Sequence, residues 1–315
     1  MTTASRTGTA MIFPGMGPTP FAEVGKFMVL NPFARKLVAT ADRVLGYSLV
    51  DRYRTTEGDY SEYAQVAFMV NSLALAQWAR HTLGVEPGLC TGPSFGEKPA
   101  AAFSGALDFP DAVRATAAFA RLLEDYFATE YTDLVTHSFV RVPQDTLREL
   151  LGELDERGET YEISCYIDDD FTMLTLRERN LEWLPARLRA LGGMSLYTMR
   201  PPMHCSLFKG LRDRAEEEVF GPLDFADPTV PVIADQDGAL VTTGEGVRAM
   251  MLDSCVRPLR WPAVVDALRE AGVGTVCVAG QDSLFGRVRR TTDAFEVVPA
   301  TPRLALRPRP RPASA

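Results

Sequence analysis

The stretch Gly92-Pro93-Ser94-Phe95-Gly96 constrains this chain more than any other. It fits the Gly-x-Ser-x-Gly pattern of a nucleophile elbow. There a serine sits on a tight strand-to-helix turn, and glycines stand where a side chain would meet neighbouring backbone. Val85, Leu89 and Cys90 before it read as a short buried strand, and Ala100 to Phe103 after it as a small-residue helix. Such a turn lifts the Ser94 hydroxyl into a cleft and aims a helix N-terminus at negative charge developing there. Alone, the pattern fits an ordinary loop as well as it fits a site, because Gly and Ser are common in loops.

A serine nucleophile needs a base within hydrogen-bond reach, and the chain offers three histidines. His81 lies at a helix end beside Arg80, where a solvated or capping role is expected. His137 falls inside a strand-like segment, where a structural role is expected. His204 sits in Pro201-Pro202-Met203-His204-Cys205-Ser206, a proline-braced loop suited to holding an imidazole in one orientation, and is the candidate base. A second oxyanion donor, beside the N–H of Phe95, has a natural source in the loop Gly15-Met16-Gly17 that follows the apolar run Ala10 to Phe13. The order Ser then His, 110 residues apart, fits poorly with an ordinary α/β-hydrolase, in which the histidine comes late.

Between the two lies a change of texture. Leu134–Val142, Tyr161–Tyr166, Phe171–Leu176 and Met194–Met199 read as strands, with helices over Asp145–Glu156 and Leu181–Leu191. That is the β-α-β-β-α-β order of a ferredoxin-like unit. The fold class expected is therefore α/β, with residues 131–199 a small subdomain inserted between 1–130 and 200–299 of a large one. In the large part helices are expected over Phe21–Leu30, Pro32–Leu45, an amphipathic one opening at Gln65, and one capped by Asp108. Strands are expected over Val230–Ala234 and Thr275–Val278. Residues 300–315, with Arg303, Arg307, Arg309 and Arg311 among prolines, are expected to be disordered.

Composition narrows the function classes. A formal charge of −8 argues against wholesale nucleic-acid binding. The absence of a long apolar run argues against a membrane span, and the polar N-terminus against a secretory signal. Five scattered cysteines with no metal-ligand spacing suit a reducing cytoplasm better than a disulfide frame or a metal site. No bound cofactor and a monomer are expected.

Four segments in register carry a resemblance: Phe13-Pro14-Gly15-x-Gly17, Gln65, Gly92-x-Ser94-x-Gly96-Glu97 and His204-Cys205-Ser206-Leu207. Together with Gly105 to Phe109 and Arg257-Pro258-Leu259-Arg260-Trp261, they resemble the malonyl-CoA:acyl-carrier-protein transacylase family, which includes the acyltransferase domains of polyketide synthases. The resemblance spans roughly residues 10–295. It implies a large α/β-hydrolase-like domain with a ferredoxin-like insert. It also implies Ser94 as the acylated nucleophile, His204 as base and then acid, the N–H groups of Met16 and Phe95 as oxyanion hole, and Gln65 lining that hole. Substrates would arrive on the phosphopantetheine of acyl carrier proteins.

The departures from the family pattern concern orientation and substrate. Met16 stands in place of Gln, Pro93 in place of the His before the nucleophile, and Arg257 in place of an Asn that helps orient the catalytic histidine. Loaders of malonyl-type units carry an Arg on the helix after the elbow. Here the position is Phe119, with Arg114 and Arg121 nearby but Arg121 about 200° away round a helix. A buried carboxylate without its cation costs several kcal/mol, so a pocket walled by Phe119, Met203, Pro202 and Phe171 is expected to prefer a non-malonyl group. The stand-alone acyltransferases of macrolactam-type pathways, which move aminoacyl or dipeptidyl groups between carrier proteins, are similar in this respect and make polyketide (antibiotic) biosynthesis the expected context. Editing hydrolysis, malonyl-type loading and a non-catalytic scaffold are the alternatives. Asp168-Asp169-Asp170 reads as a solvated turn or as an anionic lip for a substrate ammonium. Basic docking patches for an acidic carrier protein are expected at Arg287, Arg289 and Arg290, or at Arg148 with Arg187 and Arg189.

Overall fold

The computed structural model describes residues 7–307. Its strands in chain order are β1 (Gly8–Ile12), β2 (Leu89–Thr91), β3 (Leu134–Val140), β4 (Tyr161–Asp168), β5 (Phe171–Arg177), β6 (Met194–Met199), β7 (Val232–Ile233), β8 (Leu240–Val241), β9 (Leu259–Arg260), β10 (Val273–Ala279) and β11 (Glu296–Ala300). The large sheet runs β11-β10-β1-β2-β7-β8. It is parallel except where β8 turns back on β7.

Parallel strands joined by helical crossovers are covered on both faces and read as continuous apolar runs. Ala10-Met11-Ile12-Phe13 behaves so: all four are fully buried. Alternate residues serve opposite faces: Met11, Phe13, Cys90 and Cys277 join one core cluster, while Ala10, Ile12, Val276 and Val278 join the other. The helix Glu62–Leu83 packs behind the sheet, against helices Pro32–Leu45 and Phe109–Thr129. Ser61 caps it by accepting from the Ala64 N–H at 3.2 Å, and Gly84 ends it in the left-handed region. It therefore begins three residues before Gln65. It is also not amphipathic as expected, since Ala64 through Ala76 are all buried. A helix apolar on every side belongs inside a protein.

The small sheet runs β6-β3-β5-β4, the ferredoxin-like order, with helices Gln144–Glu156 and Leu184–Ala190 between its strands. Its own core gathers Val135, Phe139, Leu147, Leu150, Leu174 and Leu188. β9, from the large part of the chain, adds to its edge in parallel with β4. That two-residue strand was not expected from sequence, nor were β11 and the helices Leu49–Thr55 and Gly244–Asp253. The strand expected over Val230–Ala234 is confined to Val232–Ile233.

The tail expectation fails at its start. Ala300 is buried and pairs with Ala279, and Thr301 caps a short helix, Pro302–Ala305, whose Leu304 and Ala305 lie on the main core. Arg309 and Arg311 lie outside the described residues. All five cysteines are free and buried. No helix among the described residues is long and apolar enough to cross a membrane.

Candidate active site

β2 ends at Thr91, whose hydroxyl donates to the Ile233 carbonyl at 2.9 Å, and the chain turns sharply. Ser94 has φ 56°, a left-handed conformation costly for a residue with a side chain. The turn closes because its flanks are glycines. A Cβ on Gly92 would lie 1.9 Å from the Gly96 carbonyl oxygen, and one on Gly96 would lie 2.0 Å from that of Phe13. Glu97–Ser104 then runs on as a helix.

His204 is the second strained residue, with φ 60° and almost no exposure. Its Nε2 lies 2.8 Å from Ser94 Oγ. Burial pushes the imidazole down to about 4, and the Lys98 ammonium adds to this, while the backbone carbonyls of Ser254 and Arg257 oppose it. The ring is thus neutral at pH 7, the form a general base requires. Nδ1 is buried and no hydrogen bond of good geometry reaches it. The Arg257 side chain points away, to Asp237 at 2.8 Å and Asp253 at 3.2 Å. The side chain at 257 therefore does not orient the ring, and Nδ1 is left without a hydrogen-bond partner.

Beneath the elbow lie groups that sequence reasoning missed. The Ser94 N–H donates to Asp235 Oδ2 at 2.6 Å, and Gln236 Nε2 donates to Glu97 Oε1 at 2.9 Å. Burial, then the Asp235 charge, pushes Glu97 well above the usual carboxylate range. Asp235 is itself raised by burial to about 6. Asp235 lies 141 residues from Ser94, and nothing local in the sequence announces the pairing.

Two cavities meet at Ser94. The smaller, about 70 Å³, is walled by Phe95, Phe119, Leu123, Phe220 and Met203, with Gln65 at its edge. Gln65 donates from Nε2 to the Tyr60 carbonyl at 2.8 Å. The wider, about 400 Å³, lies between Gly15–Pro18 and Asp282–Phe285 on one side and strands of the small sheet on the other. Met16 lines both. Phe171 and Pro202 do not wall the small cavity as expected. Phe171, on β5, faces the wide one, and Pro202 faces a third cleft with Tyr60 and Tyr131. Arg114 and Arg121 stand outside, paired with Asp111 and Glu62.

The expectation that no cation stands opposite Phe119 does not hold. Lys98, in the first turn after the elbow, lines the small cavity. Its Nζ sits 4.7 Å from the ring centroids of both Phe95 and Phe119. Its place in the first turn after the elbow was the signal available.

The remaining expectations divide. His137 is structural, bonded to Thr198 and Ser195, and His81 is exposed against Phe33. The Asp168–Asp170 turn is not a lip of this site: it faces Arg289 and Arg290 across a separate cleft, where Asp168 accepts from the Arg290 N–H. Arg290 is held by Asp266, Arg187 by Glu153 and Glu149, and Arg148 by Asp145, which weakens each as a docking patch.

A family model described as the VinK acyltransferase small domain matches residues 138–199. The malonyl CoA-acyl carrier protein transacylase of Escherichia coli O157:H7 is 24% identical over 296 residues, covering 92% of this chain and 94% of that protein. The Bacillus subtilis enzyme of the same name is 22% identical, covering 92% and 73%. Among solved structures, a type II polyketide synthase malonyl-transacylase in complex with its acyl-carrier protein superposes with a TM-score of 0.81 at 21% identity, covering 93% and 96%. An acyl-carrier-protein S-malonyltransferase from Burkholderia pseudomallei gives 0.82 at 19%, covering 93% and 96%. The chain shares their mixed α/β fold of large and small subdomains, and it is similar to the malonyl CoA-acyl carrier protein transacylases along nine-tenths of its length.

Proposed function

We propose that this protein transfers a short acyl group from a thioester to an acyl carrier protein through an acyl-enzyme on Ser94. The observation that carries the reading is the 2.8 Å contact between His204 Nε2 and Ser94 Oγ where the two cavities meet. Ser94 Oγ attacks the thioester carbonyl while His204 Nε2 takes its proton. The N–H groups of Phe95 and Met16 meet the oxyanion. Collapse breaks the C–S bond, and His204 returns the proton to the leaving thiolate. In the second half the acceptor thiol gives its proton to His204 and attacks the ester, and Ser94 recovers the proton as the C–O bond breaks. The wide cavity suits a phosphopantetheine arm. Residues 131–199 would form one wall of it, and 1–130 with 200–299 the catalytic body.

The acyl group is a finer matter. A wall with Phe119 in place of arginine supports the aminoacyl or dipeptidyl reading, and with it a polyketide pathway. Against that, the cavity that Phe119 walls measures only about 70 Å³. The named relatives are malonyl transacylases, so malonyl-type transfer is the reading we adopt. Intact-mass measurement after incubation with malonyl-CoA and with an aminoacyl carrier protein tests it. Prompt malonyl addition that Ser94→Ala abolishes is expected. Acylation from the aminoacyl donor alone would reverse the choice, and release of free acid without acceptor would indicate a hydrolase.

A further inference from the structure

Lys98 is an ammonium in a small, largely apolar cavity, and among the described residues it makes no ion pair within 4 Å. Glu97, its neighbour in sequence, lines the same cavity but accepts a hydrogen bond from Gln236. Burial and the Asp235 charge push Glu97 well above the usual carboxylate range, which weakens it as a counter-ion for Lys98. The Lys98 side chain instead lies between two aromatic rings, Phe95 and Phe119, at 4.7 Å from each centroid. Ring faces attract a cation and favour its charged form, while burial pushes the other way and lowers its affinity for the proton. A charge held without a counter-ion in such a place costs free energy that a bound anion would offset. Ser94 lines the same cavity, so an acyl group esterified to Ser94 and lodged there shares the cavity with this ammonium.

We propose that Lys98 is the specificity-determining residue for the acyl group: its ammonium binds a terminal carboxylate on a short acyl chain carried by Ser94. The inference rests on the acyl-enzyme reading above. It supplies from the elbow helix the cation that position 119 lacks. An acyl chain ending in an ammonium meets like charge at Lys98, and one ending in a methyl leaves the cation unpaired.

The test uses the full chain and two thioesters of nearly equal shape, malonyl-CoA and acetoacetyl-CoA, which differ in a carboxylate against a methyl ketone. Ser94 acylation is timed by intact mass in the wild type, Lys98→Met and Lys98→Arg. The wild type is expected to favour malonyl, and the malonyl-to-acetoacetyl rate ratio to fall about 100-fold in Lys98→Met, the scale of one charge-assisted hydrogen bond. Lys98→Arg should recover part of it. Thermal unfolding of each variant separates a lost cation from a lost fold. An unchanged ratio in a folded Lys98→Met protein, or no preference in the wild type, overturns the role of Lys98 and leaves the acyl-enzyme standing. No acylation of wild-type Ser94 by any thioester overturns both.

Discussion

His204 is a base prepared by burial. An exposed histidine changes charge near 6.5, whereas this one is held to about 4. The folded ring therefore stays neutral through the range in which an ordinary histidine protonates. We expect the rate of Ser94 acylation to be flat from pH 8 to about 5 and to fall only below that. A half-drop near 6.5 in a stopped-time mass assay would contradict it. The same shift costs stability in acid. Between 6.5 and 4 the unfolded chain binds a proton at this residue and the folded chain does not, so thermal stability should decline across that window. Asp235 invites a second substitution. Asn at 235 keeps an oxygen for the Ser94 N–H and removes a buried charge, so Asp235→Asn should match or exceed wild-type stability at pH 7. Asp235→Ala leaves that N–H unmet and should lose about 1–3 kcal/mol in urea unfolding.

At the scale of elements, the elbow depends on two glycines that no other residue can replace. Alanine at 92 or 96 would drive a methyl to about 2 Å from backbone oxygen, and backbone cannot retreat as a side chain can. Each substitution should cost more than 3 kcal/mol or abolish soluble folding. Arg257→Ala should cost only the two partly exposed ion pairs, under about 1 kcal/mol each, and leave acylation within a few-fold, because the side chain at 257 points away from His204. Much of this was readable in advance, because local signals write it: Asp108 accepts from the Asp111 N–H as its cap position required, and the small subdomain follows alternating apolar runs. The elements that went unread are those whose signal is not local. β9 spans two residues and exists because β4 offers an edge. Asp235 reaches Ser94 only through strand order. Lys98 lay in the motif itself, yet its direction depends on the aromatic rings that receive it.

For the whole molecule, the candidate site lies between residues of the two sheets, so on the proposed function an acyl carrier would approach by the wide cavity. Arg287 is exposed, follows the cavity-lining run Asp282–Phe285 and makes no ion pair among the described residues, unlike Arg290, Arg187 and Arg148. Arg287→Glu should therefore slow transfer to a carrier protein and flatten its salt dependence, while Arg148→Glu should change neither. Equal effects of the two in a transfer assay at 50 and 200 mM salt would place docking elsewhere. The five buried cysteines carry a consequence of their own. Every substrate proposed for this chain is a thioester, and a free protein thiolate would exchange with it. Burial pushes all five thiols up, to about 12 or beyond, so at neutral pH almost none is ionised. Cys205, next to His204, and Cys255, on the acyl cavity wall, are among them. Sulfur thereby offers little competition to the Ser94 oxygen, and an alkylating reagent that counts reactive sulfur becomes a gauge of how often the chain opens.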